Sequence, residues 1–177
     1  MIAQMNKQEF DSLCDIALFN ACFKPLILEY KNRMTKDNHS IVQELFYNEL
    51  NTGQKSLFVF HVYYDHAIES TEEFYWWSAY YLAQPKIWSA IKRALTYFGD
   101  EHMYQLLTDT EFMFNKHNYP STLAQFTVTR ENLRNNEELA VAINSLYDSF
   151  NNRAPQTVKY ISDFIRNNHT IFVKFKD

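Results

Sequence analysis

Only two of the 177 residues are glycine, Gly53 and Gly99. Average proteins contain about 7% glycine, so this chain has few positions suited to the positive φ values of tight hairpins and phosphate-binding turns. Helices joined by polar turns need few such positions. The shortage of glycine therefore favours a helical protein.

The spacing of the two glycines excludes three motifs of large enzyme classes. They lie 46 positions apart, so the sequence contains no G-x-G-x-x-G loop, no Walker A loop and no G-x-S-x-G elbow. We find no other catalytic motif in the chain. The sequence therefore favours a protein that is not an enzyme and predicts no cofactor.

Apolar residues recur at helical spacing along most of the chain. This pattern predicts a mainly all-α protein, a multi-helix bundle of about eight helices with a short C-terminal β-strand. The apolar runs cover residues 6–24, 25–33, 41–51, 53–69, 71–83, 85–98, a stretch that begins at 100, 136–152 and 155–166. Pro25 is expected to break or kink its helix and Pro155 to open a new one, because proline has no amide proton. Alternating apolar residues at 171, 173 and 175 predict the terminal strand.

Local signals mark the helix ends and the connections between them. Asn6, Thr52 and Ser70 are predicted N-caps, and Gly99 is a predicted left-handed C-cap. Residues 35–40 are predicted to form a turn, and residues 115–129 a long loop in which 124–129 form a short strand. The chain is 46% apolar and shows no linker or repeat, so we expect one helical domain over residues 1–177.

The helix predicted at 71–83 is apolar around most of its girth. Phe74, Trp77 and Tyr81 form the stripe that is expected to face the core, while Trp76 and Tyr80 project to the other side. A helix of this kind is usually buried in a bundle or covered by a partner. We therefore expect it to be the central helix, with Trp76 and Tyr80 available for contact.

Acidic residues are concentrated around this helix. Residues 65–111 contain eight acids and three bases, whereas the whole chain has a net charge of −4. These observations lead to the main hypothesis, a non-enzymatic intracellular module that contacts an unknown protein partner or a second copy of itself, as in a homodimer. The residues expected to form its acidic and aromatic face are Glu69, Glu72, Glu73, Trp76 and Tyr80.

A second hypothesis is a metal-binding bundle or a metal-dependent enzyme. His61 and Asp65 lie four positions apart and His66 and Glu69 three apart, so each pair could bring ligand atoms together on a helix surface. His102 could contribute from another helix. A small-molecule sensor built on the aromatic core is a third alternative that the sequence does not rank against these.

Three further observations bear on partners and compartment. Cys14 and Cys22 are eight positions apart, a spacing that suits neither a zinc knuckle nor a redox pair, and both are expected to be buried inside a helix. The sequence shows no membrane span and no signal peptide, which predicts a cytoplasmic protein. Direct binding to nucleic acid is disfavoured because no basic footprint is present.

Residues 50–107 read LNTGQKSLFVFHVYYDHAIESTEEFYWWSAYYLAQPKIWSAIKRALTYFGDEHMYQLL. A helix follows the Leu-x-Thr start, then come an aromatic segment and an Ala-Leu helix that ends before Gly-Asp. In these features the stretch resembles the helical core of the DNA-mimic-protein-like family of small, mostly uncharacterised bacterial proteins. The resemblance implies an all-helical fold. Since at least one member is described as imitating DNA with surface carboxylates, it also implies an acidic surface that occupies a DNA-binding protein.

Overall fold

The computed structural model of the protein describes residues 1–34 and 39–176, with side chains in the second range from residue 41 onward. In chain order its elements are β1 (Ala3–Met5), α1 (Lys7–Ser12), α2 (Asp15–Arg33), α3 (His39–Glu49), α4 (Thr52–Ala67), α5 (Thr71–Leu82), α6 (Pro85–Phe98), α7 (Glu101–Lys116), a 3₁₀ turn (Leu123–Gln125), α8 (Arg130–Arg134), α9 (Glu137–Asn167), α10 (His169–Phe172) and β2 (Val173–Phe175). The prediction of a mainly all-α protein with a C-terminal strand is confirmed. None of the described helices is long and apolar enough to cross a membrane.

Three of the four predicted caps, Asn6, Ser70 and Gly99, are confirmed. The side chains of Asn6, Ser70 and Asp100 each accept a hydrogen bond from the amide three residues further on, at 2.7, 3.2 and 2.9 Å. These bonds satisfy amides that the first turn of a helix leaves without an intrahelical acceptor. At the other end of α6, Gly99 has the left-handed conformation expected of a C-cap, with φ of 80°.

The start of α4 differs from the prediction by one residue. Asn51, not Thr52, is the cap: its Oδ1 accepts a bond of 2.9 Å from the Gln54 amide, and Gln54 Oε1 accepts one of 3.2 Å from the Asn51 amide. This reciprocal pair satisfies two amides at once, which a single threonine hydroxyl does not. Glycine occupies position 53 because a Cβ atom there would lie only 2.8 Å from the ring of Phe172.

Two prolines lie inside continuous helices. The break expected at Pro25 and the new helix expected to begin at Pro155 are therefore wrong, while the alternative of a kink at Pro25 stays a prediction. Pro25 lies in α2, which has 19 residues, and Pro155 lies in α9, which has 31. An internal proline costs about 3 kcal/mol, but burying one large apolar side chain contributes about 1.5–3 kcal/mol. Five side chains of α2 are buried, and α9 buries Phe150, Ala154 and Val158 around its proline. Packing therefore outweighs the lost hydrogen bond in both helices.

The real interruption lies between α1 and α2, inside the helix predicted at residues 6–24. Arg166 donates a bond of 3.0 Å to the carbonyl of Leu13 and one of 2.7 Å to the carboxylate of Asp15. Because the Leu13 carbonyl accepts a bond from arginine, it does not need the amide partner that a continuous helix would supply. Cys14 consequently lies at the N-cap of α2 and is exposed, whereas Cys22 is buried as predicted.

The C-terminal strand pairs with a strand at the other end of the sequence. β1 and β2 are parallel, with Ala3 opposite Val173 and Met5 opposite Phe175. The amide of Lys176 extends the pairing with a bond of 3.0 Å to the carbonyl of Met5. β1 has only three residues, which is too short for alternation to be visible in the sequence.

The contacts of the chain separate it into two compact units. The terminal unit comprises Met1–Phe58 and Val158–Asp177, and the central unit comprises Val59–Thr157. The prediction of one domain over residues 1–177 stays a prediction. In the terminal unit the ring of Phe58 lies 5.1 Å from Phe46, 5.4 Å from Tyr30 and 5.7 Å from Phe23, so aromatic packing forms much of its core.

The core of the central unit is built around a buried tyrosine. The ring of Tyr63 lies 5.8 Å from Trp88 and 5.9 Å from Phe150, both in edge-on geometry. Its hydroxyl is 2.8 Å from the hydroxyl of Ser78, and both residues are fully buried. A buried hydroxyl needs such a partner, so this pair places α4 against α5.

Two predicted connections are only partly recovered. The segment between α7 and α8 is a loop as predicted, but the strand expected at 124–129 is wrong. Leu123–Gln125 form a 3₁₀ turn, and Thr129 instead begins α8 through a capping box with Asn132. Of the turn expected at residues 35–40, positions 35–38 lie outside the described residues, and α3 already begins at His39.

Candidate interaction surface on helix α5

The inner side of α5 differs from the predicted stripe. Its buried residues are Phe74, Tyr75, Ser78, Ala79 and Leu82. Trp77 and Tyr81, which the pattern places in the core, are half-buried, as are Trp76 and Tyr80. The small side chains at 78 and 79 let the neighbouring helices approach closely, and a prediction based on ring size misses this effect.

The four half-buried residues form one continuous layer of rings, which we call the aromatic surface (Trp76, Trp77, Tyr80 and Tyr81). Trp76 stacks on Tyr80 at 5.1 Å with an interplanar angle of 9°, and Trp77 stacks on Tyr81 at 5.7 Å and 28°. At one edge His66 lies flat on Trp77 at 3.9 Å. Offset stacking of this kind holds each ring in one orientation.

A segment from outside α5 holds the other edge of this surface. We call it the α8 clasp (Phe126, Val128, Arg130 and Arg134). The ring of Phe126 lies edge-on to Trp76 at 5.7 Å, the Trp76 indole donates a bond of 3.0 Å to the carbonyl of Val128, and the Arg130 guanidinium lies 4.7 Å above the Trp76 ring. Trp76 is therefore fixed by an aromatic contact, a hydrogen bond and a cation–π contact.

The clasp also pairs with the acids at the start of α5. Arg130 donates two bonds of 2.5 and 2.6 Å to the carboxylate of Glu73, and Arg134 donates two of 2.8 and 3.1 Å to Glu72. These bonds are the main cause that lowers the pKa of each carboxyl from its ordinary value. Both pairs have the planar two-bond geometry that arginine forms with carboxylates.

The acidic face predicted here is therefore largely neutralised. Of its three acids, Glu72 and Glu73 are paired with arginines, and Glu73 also accepts a bond of 3.0 Å from the Trp77 indole. Glu69 is exposed and forms no ion pair with another described residue. One carboxylate, not three, is thus left to contact a partner beside the rings.

The clasp is the part of the site that the sequence does not reveal. Arg130 is 57 positions from Glu73 and Arg134 is 62 positions from Glu72. The one available signal is the spacing of four between the two arginines on α8, which places both on one face. That spacing does not indicate which acids they meet.

The residues proposed as metal ligands do not converge. The Nδ1 atom of buried His61 lies 3.1 Å from the carboxylate of Asp65, but His66 is used in the stack on Trp77. Glu69 and His102 are both exposed. Within residues 1–34 and 39–176 no three His, Cys, Asp or Glu side chains are grouped to hold a metal ion. The metal site stays a prediction without support from the described geometry.

No family model matches the chain, and no curated protein or solved structure matches it either. The resemblance of residues 50–107 to the DNA-mimic-protein-like family stays a prediction. The function therefore has to be argued from the residues of this chain.

Proposed function

We propose that the protein is a non-enzymatic interaction module that binds a partner protein, or a second copy of itself, through the aromatic surface. The observation that carries the proposal is the layer of four half-buried tryptophan and tyrosine rings on consecutive turns of α5. Tryptophan and tyrosine are the residue types enriched at the energetic centres of protein interfaces. Stacking has already ordered these rings, which lowers the entropy that binding would cost.

The polar groups around the rings suggest the chemistry of the partner. The indole N–H groups of Trp76 and Trp77 are already bonded within the chain. The Tyr80 hydroxyl has no hydrogen bond to another described residue, and Glu69 has no ion pair there. The surface therefore presents apolar rings, the Tyr80 hydroxyl and the Glu69 carboxylate, which suits a partner with apolar side chains and a nearby basic group.

The same charges argue against extending the proposal to imitation of DNA. A DNA mimic needs closely spaced negative charges that resemble phosphates. Glu72 and Glu73 are each bonded to an arginine, so their charge is compensated locally. The proposal is restricted to protein contact for this reason.

We place this activity in the cytoplasm. Cys14 is an exposed free thiol and Cys22 a buried one, and disulfides are the usual state of exposed cysteines in oxidising compartments.

Burial raises the pKa of Cys22 to about 12. That thiol therefore stays protonated and is unsuited to act as a nucleophile.

The proposal can be tested with a matched pair of tyrosine variants. Tyr80→Ala alters the aromatic surface, whereas Tyr104→Ala removes a tyrosine that is 36% exposed on α7. We expect Tyr80→Ala, alone or with Trp77→Ala, to weaken self-association in sedimentation velocity or retention of a defined partner on immobilised protein. Tyr104→Ala should leave both unchanged.

Circular dichroism confirms that each variant is folded before the comparison is made. The proposal would be contradicted if the wild-type protein stays monomeric and if it retains no partner protein that the Tyr80→Ala variant fails to retain. Equal loss in the two tyrosine variants would contradict it as well, because the effect would not be specific to α5.

A further inference from the structure

The central unit contains a second feature that is separate from the aromatic rings. The end of α7, the loop after it, α8 and the start of α9 border an open cleft of about 450 Å³. This volume lies in the range of about 300–1,000 Å³ that is typical of small-molecule sites. Among the described residues that line it there are four asparagines and one histidine, His117, but no aspartate, glutamate, lysine or arginine.

Two of the asparagines are fixed by the backbone. The Oδ1 atom of Asn132 accepts a bond of 2.7 Å from the Thr129 amide, and that of Asn136 accepts one of 3.0 Å from the Leu139 amide. Both side chains are thereby held in one orientation, and their NH₂ groups remain as donors.

The other two asparagines, like the first two, are exposed to solvent. The side chains of Asn118 and Asn135 form no hydrogen bond with another described residue. Each amide offers two donors and one acceptor. The cleft therefore combines fixed donors with free donor and acceptor groups.

The edge of the cleft is held rigidly by the turn that follows α7. Asn118 adopts a left-handed conformation with φ of 55°, and the amide of Tyr119 donates a bond of 3.1 Å to the carbonyl of Phe114. The Tyr119 hydroxyl lies 2.6 Å from that of buried Tyr75. Burial raises the pKa of both hydroxyls, so the pair stays neutral at physiological pH.

We propose that this cleft binds a neutral polyhydroxylated ring, the chemistry of a sugar. Each ring hydroxyl is both a donor and an acceptor, which matches the mixed groups of asparagine amides. Phosphate or carboxylate ligands are disfavoured because the lining offers no lysine or arginine to compensate for their desolvation, and His117 is its one side chain that can become a cation. The ring could belong to a free monosaccharide or to the ribose of a nucleoside, which present the same hydroxyl chemistry.

Titrations followed by amide NMR spectra test the proposal with probes of known composition. D-glucose, N-acetyl-D-glucosamine and uridine are added to the full chain, with glucose 6-phosphate as the charged comparison. We expect saturable shifts of the Asn118 and Asn135 side-chain signals with at least one neutral probe. Binding of the two sugars identifies a free sugar as the source, and binding of uridine alone identifies a ribose.

Variants that keep the shape of the side chain give the second readout. Asn118→Asp and Asn135→Asp each replace two donors by acceptors, and each should weaken binding about five- to tenfold. Asn152→Asp makes the same change at an exposed position of α9 outside the cleft and should leave the affinity unchanged. The amide spectrum of each variant reports whether it is folded.

Three results would overturn the proposal. The first is the absence of shifts with any neutral probe up to about 50 mM, well above the millimolar range of weak complexes. The second is binding that Asn118→Asp and Asn135→Asp leave unchanged. The third is binding of glucose 6-phosphate as tight as that of glucose. None of them bears on the aromatic surface, so the two proposals fail separately.

Discussion

Helix α5 has two aromatic sides that are stabilised by different interactions. The inner side buries Phe74 and Tyr75 completely, and Ser78 shares a hydrogen bond there with Tyr63. The outer side keeps its rings half-buried under the α8 clasp, where Arg130 is bonded to Glu73. Inner contacts are apolar or neutral, whereas the outer side depends on charged groups whose side chains are 40% and 22% exposed.

This difference has a consequence for how the two sides respond to solution conditions. Apolar burial and neutral hydrogen bonds change little with salt or mild acid. Ion pairs near the surface are screened by salt and lost when the carboxylate is protonated. The inner side should therefore determine most of the stability of the central unit, and the outer side should be the adjustable one.

The largest effect is expected when an aromatic ring is removed from the inner side of α5. Phe74 is fully buried, 5.2 Å from Phe150 and 5.9 Å from Tyr147. Phe74→Ala should lower the free energy of unfolding by about 3–5 kcal/mol in urea denaturation, because it removes apolar contact and leaves a cavity. Phe112→Ala is the matched control. Since Phe112 is 72% exposed, its change should stay within about 0.5 kcal/mol.

A loss below about 1 kcal/mol for Phe74→Ala would contradict the assignment of this side to the core. A loss of similar size at both positions would contradict the contrast between α5 and the exposed face of α7.

A smaller effect is expected at the buried pair of hydroxyls. Tyr63→Phe leaves the Ser78 hydroxyl without its partner at 2.8 Å, which should cost about 1–3 kcal/mol of unfolding free energy. The double variant Tyr63→Phe with Ser78→Ala should lose less unfolding free energy than the sum of the losses in the two single variants, because no buried hydroxyl is then left unbonded. Additive losses in this cycle would show that the bond does not contribute.

The third prediction concerns the outer side. A double-mutant cycle with Glu73→Gln and Arg130→Gln should give a coupling free energy of about 1 kcal/mol at low salt, since the pair is bidentate but partly exposed. In 1 M salt this coupling should shrink, whereas that of Tyr63 and Ser78 should not. A salt-independent coupling at Glu73 and Arg130 would remove the proposed distinction between the two sides.

The two sides also differ in how far they follow from the sequence. The ends of α5 are set by nearby residues, and Ser70 was predicted as its cap from local pattern alone. The pattern places Trp76 and Tyr80 outside the innermost residues, and both are half-buried. The pattern places Trp77 and Tyr81 in the core, which is wrong. The orientation of α5 depends on the close approach allowed by the small residues at 78 and 79, and helical periodicity does not include this effect.

Contacts between distant parts of the chain explain the remaining errors. The pairing of Arg130 with Glu73 and of β1 with β2 joins positions that no local pattern connects. A local rule predicts helix boundaries at Pro25 and Pro155, but tertiary burial outweighs it. The asparagines of the cleft show the same limit, because scattered amides become a group only when the chain is folded.

The smallest expected effect is the response of the outer side to pH. Hydrogen bonds from Arg130 lower the pKa of Glu73 in the folded state below its unfolded value of about 4.3. The unfolded state therefore takes up a proton first as the pH falls, so the stabilisation is complete above that value and is lost as the pH falls through the folded pKa. Between about pH 6 and about pH 3, wild-type protein should lose more unfolding free energy than the Glu73→Gln variant, which has no carboxyl to protonate there. Glu69→Gln, at an exposed acid, should behave like wild type, and equal losses in all three proteins would indicate that the Glu73–Arg130 pair does not stabilise the outer side of α5.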